Sequence, residues 1–233
     1  MELTLKVACI GNEAPPHQRG SLFHTDAVQA VGHMPIDVRA LGIDMLSASA
    51  HKFNGPKGIG FLYIREGVSI EPFMHGGAQE AGLRAGTENV AGIAGMAKAL
   101  QEHHECMAKK AAFVNGLAET LLTELRKTDL DFLVNGSENR IPGSLSLSFR
   151  GIDGEALMHR LDFKGSEVST GSACDSTRTV LSHVLRAIAV PEEYAYGTIR
   201  VTLGMDNTTD QMHTLAGQIC EIVSGMQKRN LQL

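Results

Sequence analysis

The chain has 233 residues, 43% apolar, 20% charged and 5% aromatic, with 25 glycines and no tryptophan. That profile belongs to a globular protein and excludes disordered, collagenous and disulfide-scaffold classes; the length allows one domain or two around a sizeable core. A net charge of −5 without clustered Lys or Arg argues against a general nucleic-acid-binding surface. No apolar run approaches the roughly 20 residues of a membrane span. The first residues, MELTLKVACIGNEAPP, lack the apolar stretch of a secretory signal, so a cytoplasmic protein is expected.

The four cysteines, Cys9, Cys106, Cys174 and Cys220, are far apart and form no CxxC pair. Zinc sites want ligand pairs a few residues apart, so no metal site is expected. A disulfide framework does not suit so apolar a chain either.

From Gly20 to about Arg65 short apolar runs alternate with turn signals: SLFH, DMLSASA and GIGFLYI. They predict buried strands of an α/β sheet. IDVRALGID between the first two is short, and Gly42 is a stop signal. From Asn89 to about Arg126 the text turns helical, with Met107, Ala111, Val114, Ala118, Leu121 and Leu125 three or four apart on one stripe. A helix this long between two β-rich regions predicts a connector, with a boundary near Ala108. SLSLSF (Ser144–Phe149) and TIRVTLG (Thr198–Gly204) read as further strands. A capping box from Thr208 to Gln211 opens a last helix whose buried face is Met212, Leu215, Ala216, Ile219, Ile222 and Val223. His103 and His104, on the connector, are expected in solvent.

HTDAVQ (His24–Gln29) and SASAHKFNGPKGIG (Ser47–Gly60) carry the densest chemistry. Each is a β-like run ending in polar residues, which in an α/β sheet puts Asp26 and Lys52 at the carboxyl edge where ligands bind. One reading is a Schiff-base lysine for pyridoxal phosphate, with Asp26 keeping the pyridine nitrogen protonated. On spacing alone a surface lysine in a loop and an N-capping aspartate are the favoured reading, because lysine-bearing loops are common and a lone Asp–Lys pair has little specificity.

The wording is more specific than the spacing. HTDAVQAVGHMPIDVRALGIDMLSASAHKFNGPKGIGFLYIR strongly resembles the cofactor-lysine region of cysteine desulfurases, class V aminotransferase-like enzymes of fold type I. The resemblance continues in order through HGGAQEAGLRAGTENV, STGSACDST, VLRAIAV and TIRVTLG, to the C-terminus. It implies an α/β fold: part of an aspartate aminotransferase-like large domain over residues 1–108, with 1–20 outside the pattern, then an α+β small domain over 109–233.

By the same resemblance Lys52 binds pyridoxal phosphate covalently and Asp26 pairs with its ring nitrogen. Gln29 bonds the phenolic oxygen, Ser49 and His51 hold the phosphate, and Thr87 reaches the phosphate of a neighbouring subunit. Hydroxyl and imidazole donors suit a phosphate, whose oxygens all accept. Asn12 matches a cofactor contact, the weakest of the set. Arg200 matches the arginine that clamps the substrate carboxylate. Cys174, in a run of small polar residues, matches the nucleophile of the NifS- and IscS-like group. Asp175 departs from the family's small polar residue there, and a carboxylate beside a thiol raises its pKa.

The activity implied is conversion of L-cysteine to L-alanine, with sulfur held as a persulfide on Cys174 for iron–sulfur cluster assembly or thiolation. The implied partners are L-cysteine, a sulfur acceptor or iron–sulfur scaffold protein, and a second copy in a homodimer. Cys174 would touch a metal only transiently, in a partner's cluster. Two alternatives stand beside this: another class V aminotransferase without sulfur transfer, and an impaired fragment acting only in dimerisation. The family's first third, with its glycine/threonine phosphate loop and ring-stacking histidine, has no counterpart in this sequence. Weak cofactor binding, low activity and a tendency to associate are therefore expected of the 233 residues alone.

Overall fold

The computed structural model describes residues 20–170 and 181–230, the side chains of 229 and 230 excepted. The chain divides into two compact units, Met1–Met107 and Ala108–Leu233.

The first unit holds a three-stranded sheet of β1 (His24–Asp26), β2 (Met45–Ser49) and β3 (Gly60–Ile64), in that order. β1 and β2 run parallel, β2 and β3 antiparallel. SLFH contributes only its last residue to β1. The reason lies across the sheet: the buried Asp44 carboxylate accepts the Phe23 N–H at 2.7 Å, and the Phe23 carbonyl accepts from Asp44 and Met45. Arg65 pairs with the same carboxylate, which offsets the cost of burying it. β3 is half-exposed rather than buried. Between β1 and β2 the chain makes turns in which Asp37 accepts from the N–H groups of Arg39 and Ala40.

Ala27, Ala30, Val31, Ile43, Leu46, Ala48, Ala50 and Phe53 form the core of this unit, and Met96, Ala99 and Leu100 pack against them. These last three belong to α1 (Val90–Arg126), which extends into the second unit.

The second unit has an antiparallel sheet of β4 (Phe132–Val134), β5 (Ser144–Phe149) and β6 (Thr198–Thr202), with β5 central. Alternation in SLSLSF turns Leu145, Leu147 and Phe149 to the core. They meet the α1 stripe of Val114, Ala118, Leu121 and Leu125, and Leu157 and Leu161 of α2 (Gly154–Asp162). Two short helices, α3 (His183–Ala187) and α4 (Glu192–Ala195), precede β6. α5 (Thr209–Asn230) closes the unit with the six expected residues buried. Its capping box forms: Gln211 N–H donates to Thr208 Oγ1 at 3.3 Å, and Thr208 N–H to Gln211 Oε1 at 3.0 Å. Each fully buried Leu of this core contributes roughly 2 kcal/mol by area. Among the described residues no helix is long and apolar enough to cross a membrane.

Candidate active site

The first sheet sets the site. Because β1 and β2 are parallel, their carboxyl ends share one edge, and the register pairs Asp26 with Ser47. Ala27 continues the ladder by donating to the Ser47 carbonyl at 2.9 Å. Two residues on, Ser49 ends β2, and the chain turns at once into a single 3-10 turn, Ala50–Phe53, that carries His51 and Lys52. Ala50 and Phe53 are buried and pin the turn; His51 is exposed and Lys52 half-buried. Asn54 then takes a left-handed conformation, φ 63°, so that Gly55 can donate back to the Ala50 carbonyl at 2.9 Å. A side chain at Gly55 would run into Ala50, which explains the glycine.

At this edge Ser49 Oγ and His51 Nδ1 are hydrogen-bonded at 2.8 Å, a hydroxyl and an imidazole side by side. Asp26 Oδ1 accepts the Val28 N–H at 3.0 Å, which orients the exposed carboxylate just beyond the strand end. Gln29 follows, half-buried. Five of the residues singled out in the sequence thus belong to one sheet edge or the turn beside it.

The others lie elsewhere. Thr87 is exposed on the run before α1, and no described contact ties it to that edge. Arg200 is a half-buried residue of β6, in the second unit. Asn12 and Cys174 lie outside the described residues. Ser169, which opens the STGSACDST run, exchanges both backbone hydrogen bonds with Arg200, at 2.6 and 3.1 Å.

The structure also corrects the expectation for His103. His103 is not in solvent: it is 6% exposed, meets the Gly32 carbonyl through Nδ1 at 3.0 Å, and lies 2.9 Å from Asn54 Oδ1 through Nε2. Counting back four from Met107 along the apolar stripe reaches His103, so the signal was in the spacing.

The donor set fits pyridoxal phosphate. A hydroxyl–imidazole pair suits phosphate oxygens, the half-buried amine of the next residue suits the aldehyde, and a carboxylate at the same edge suits a protonated ring nitrogen.

A turn-borne lysine at the carboxyl edge of an α/β sheet, with a hydroxyl–imidazole pair beside it, fits the arrangement of a fold type I enzyme. The chain belongs to the class-V aminotransferase family, whose pattern matches residues 6–215 and so begins inside the first 20 residues, which were expected to lie outside it. It is 50% identical over 192 residues to a cysteine desulfurase IscS of Dictyoglomus turgidum, covering 82% of this chain and 49% of that protein. It is 45% identical over 201 residues to the cysteine desulfurase IscS of Methanosarcina thermophila, covering 86% and 50%. Among solved structures, a NifS-like protein superposes with a TM-score of 0.77 at 39% identity, covering 88% of this chain and 53% of the other. Another NifS-like protein, from Rickettsia africae, gives 0.81 at 28% identity, covering 94% and 57%. The chain therefore spans about half the length of the curated relatives it matches. Enzymes of this family are pyridoxal phosphate enzymes, and the fold is part of the fold type I architecture.

Proposed function

We propose that this chain is the lysine- and cysteine-bearing part of a pyridoxal phosphate-dependent cysteine desulfurase, taking L-cysteine to L-alanine and retaining its sulfur on Cys174. The observation that carries the reading is the Ser49–His51–Lys52 turn at the carboxyl edge shared with Asp26. The names of the relatives support the same reaction class.

Pyridoxal phosphate, when bound, supplies an electron sink for negative charge at the substrate α-carbon. Ser49 and His51 hold its phosphate and Asp26 its ring nitrogen; Gln29 orients the ring oxygen. Thr87 donates to the phosphate held by a partner copy, and Asn12 adds a cofactor contact. Lys52 would hold the group covalently, and its Nζ is the general base that would take the proton from the substrate α-carbon. Arg200 takes the substrate carboxylate in its planar fork. The Cys174 thiolate attacks the substrate sulfur: an S–S bond forms on Cys174, the substrate C–S bond breaks, and its carbon is protonated to give alanine. The tie between Ser169 and Arg200 supports this division of labour, because the run bearing Cys174 starts beside the carboxylate clamp. The persulfide then passes to an acceptor or scaffold protein in iron–sulfur cluster assembly or thiolation, from a homodimer in the cytoplasm.

Borohydride reduction of the chain incubated with pyridoxal phosphate tests the reading. Label on the AHKFNGPK peptide at Lys52, lost in Lys52→Ala, is the expected result. Label on Lys57, or on no lysine, overturns it.

A further inference from the structure

We propose that His33 and His103 form a two-imidazole brace that positions Lys52, making them positioning residues for covalent capture of the cofactor. The inference rests on the reading of Lys52 given above. Three consecutive residues are held by the pair. The Lys52 carbonyl faces His33 Nε2 at 2.8 Å. A carbonyl only accepts, so His33 donates from Nε2. The Phe53 ring, fully buried, meets the His103 ring edge-on with centroids 6.4 Å apart. The Asn54 side chain meets His103 Nε2 at 2.9 Å.

The two imidazoles also hold each other. Their rings are 5.6 Å apart and nearly perpendicular, at 77°. His103 Nδ1 donates to the carbonyl of Gly32, the residue next to His33, at 3.0 Å. Gly32 has φ +82°, and a Cβ there would come within 2.7 Å of Phe53 Cβ, so the chain passes the turn as closely as backbone allows. His103 thus fixes Gly32 and Asn54 from α1, and His33 passes that fixed point to the peptide of Lys52. Packing alone would need only an apolar residue at position 103. Two placed nitrogens, His33 Nε2 at the Lys52 carbonyl and His103 Nε2 at the Asn54 side chain that follows the turn, restrict rotation of the Lys52 peptide, which sets where its Cα–Cβ bond points.

Capture has a binding step and a covalent step, and a brace acts on the second. The test uses the 233-residue chain, pyridoxal phosphate and timed borohydride quenching, with melting temperature measured in parallel. The variants are His33→Leu, His33→Gln, His103→Leu and His103→Gln, with exposed His104→Gln as control. His33→Leu is expected to slow the limiting rate of attachment roughly tenfold while moving the half-saturating concentration less than about twofold. His33→Gln, which keeps a donor near the Nε2 position, should recover most of the rate. The His103 pair should follow the same order, and His104→Gln should match the unaltered chain. If His103→Leu does not fold, the half-exposed His33 pair decides. An unchanged limiting rate in His33→Leu overturns the brace, as does a His33→Gln variant as slow as His33→Leu. An unaltered chain with no label on Lys52 overturns the reading of the lysine itself, and the brace with it.

Discussion

Ser169 and Arg200 exchange both of their backbone hydrogen bonds, at 2.6 and 3.1 Å, across the edge of the second sheet. On the other side Ser146 of β5 faces Arg200 in register, while both backbone hydrogen bonds of the arginine go to Ser169. Its side chain therefore starts from a fixed point.

Arg200→Lys keeps the charge and loses the planar fork. If Arg200 clamps the substrate carboxylate, the change weakens L-cysteine binding by about 1.5–3 kcal/mol, a rise in KM of roughly ten- to a hundredfold. Steady-state alanine release against L-cysteine concentration measures it. Labelling of Lys52 should be unaffected, and an unchanged KM removes Arg200 from substrate binding.

Gly60 pairs with Ser49, the last residue of β2, and a Cβ there would collide with the Ala48 carbonyl. Gly60→Ala is expected to cost roughly 1–3 kcal/mol, because backbone must move to admit the methyl. Gly116, inside α1, has open space around its Cα, and Gly116→Ala should stabilise by about 0.5–1 kcal/mol. Urea unfolding of the two variants should give opposite signs.

Asp37 caps its turn with two accepted N–H bonds, at 2.9 and 3.0 Å. The hydrogen bond from Ala40, then that from Arg39, hold its carboxyl below the ordinary 3.8. A depressed folded-state pKa means stability present above the unfolded value and lost as pH falls through the folded one. The melting-temperature gap between the unaltered chain and Asp37→Ala should be widest above pH 3.8 and close below it. A gap that widens on acidification contradicts the assignment.

Five of the six described strands, the long helix and the closing capping box were legible because each rests on local signals, among them period-2 alternation in SLSLSF, a stripe three or four apart and Thr208 facing Gln211. β4 was not foreseen. The Lys52 turn was legible from its wording. What the sequence hid depends on distant partners. The start of β1 is set by Asp44, 21 residues from Phe23. The burial of His103 depends on Gly32, 71 residues away, and on Asn54. A histidine carries no sign of which face it serves until its acceptors are placed, although the helical stripe could have been extended to it.

The central claim is that sulfur from L-cysteine comes to rest on Cys174. The most direct measurement is the mass of the GSACDS-bearing peptide after the chain, loaded with pyridoxal phosphate at Lys52, is incubated with L-cysteine. One added sulfur atom on that peptide, absent in Cys174→Ala while Lys52 still takes label, is the predicted result. Sulfur on Cys106 or Cys220 instead, or alanine released with no sulfur on Cys174, would contradict it.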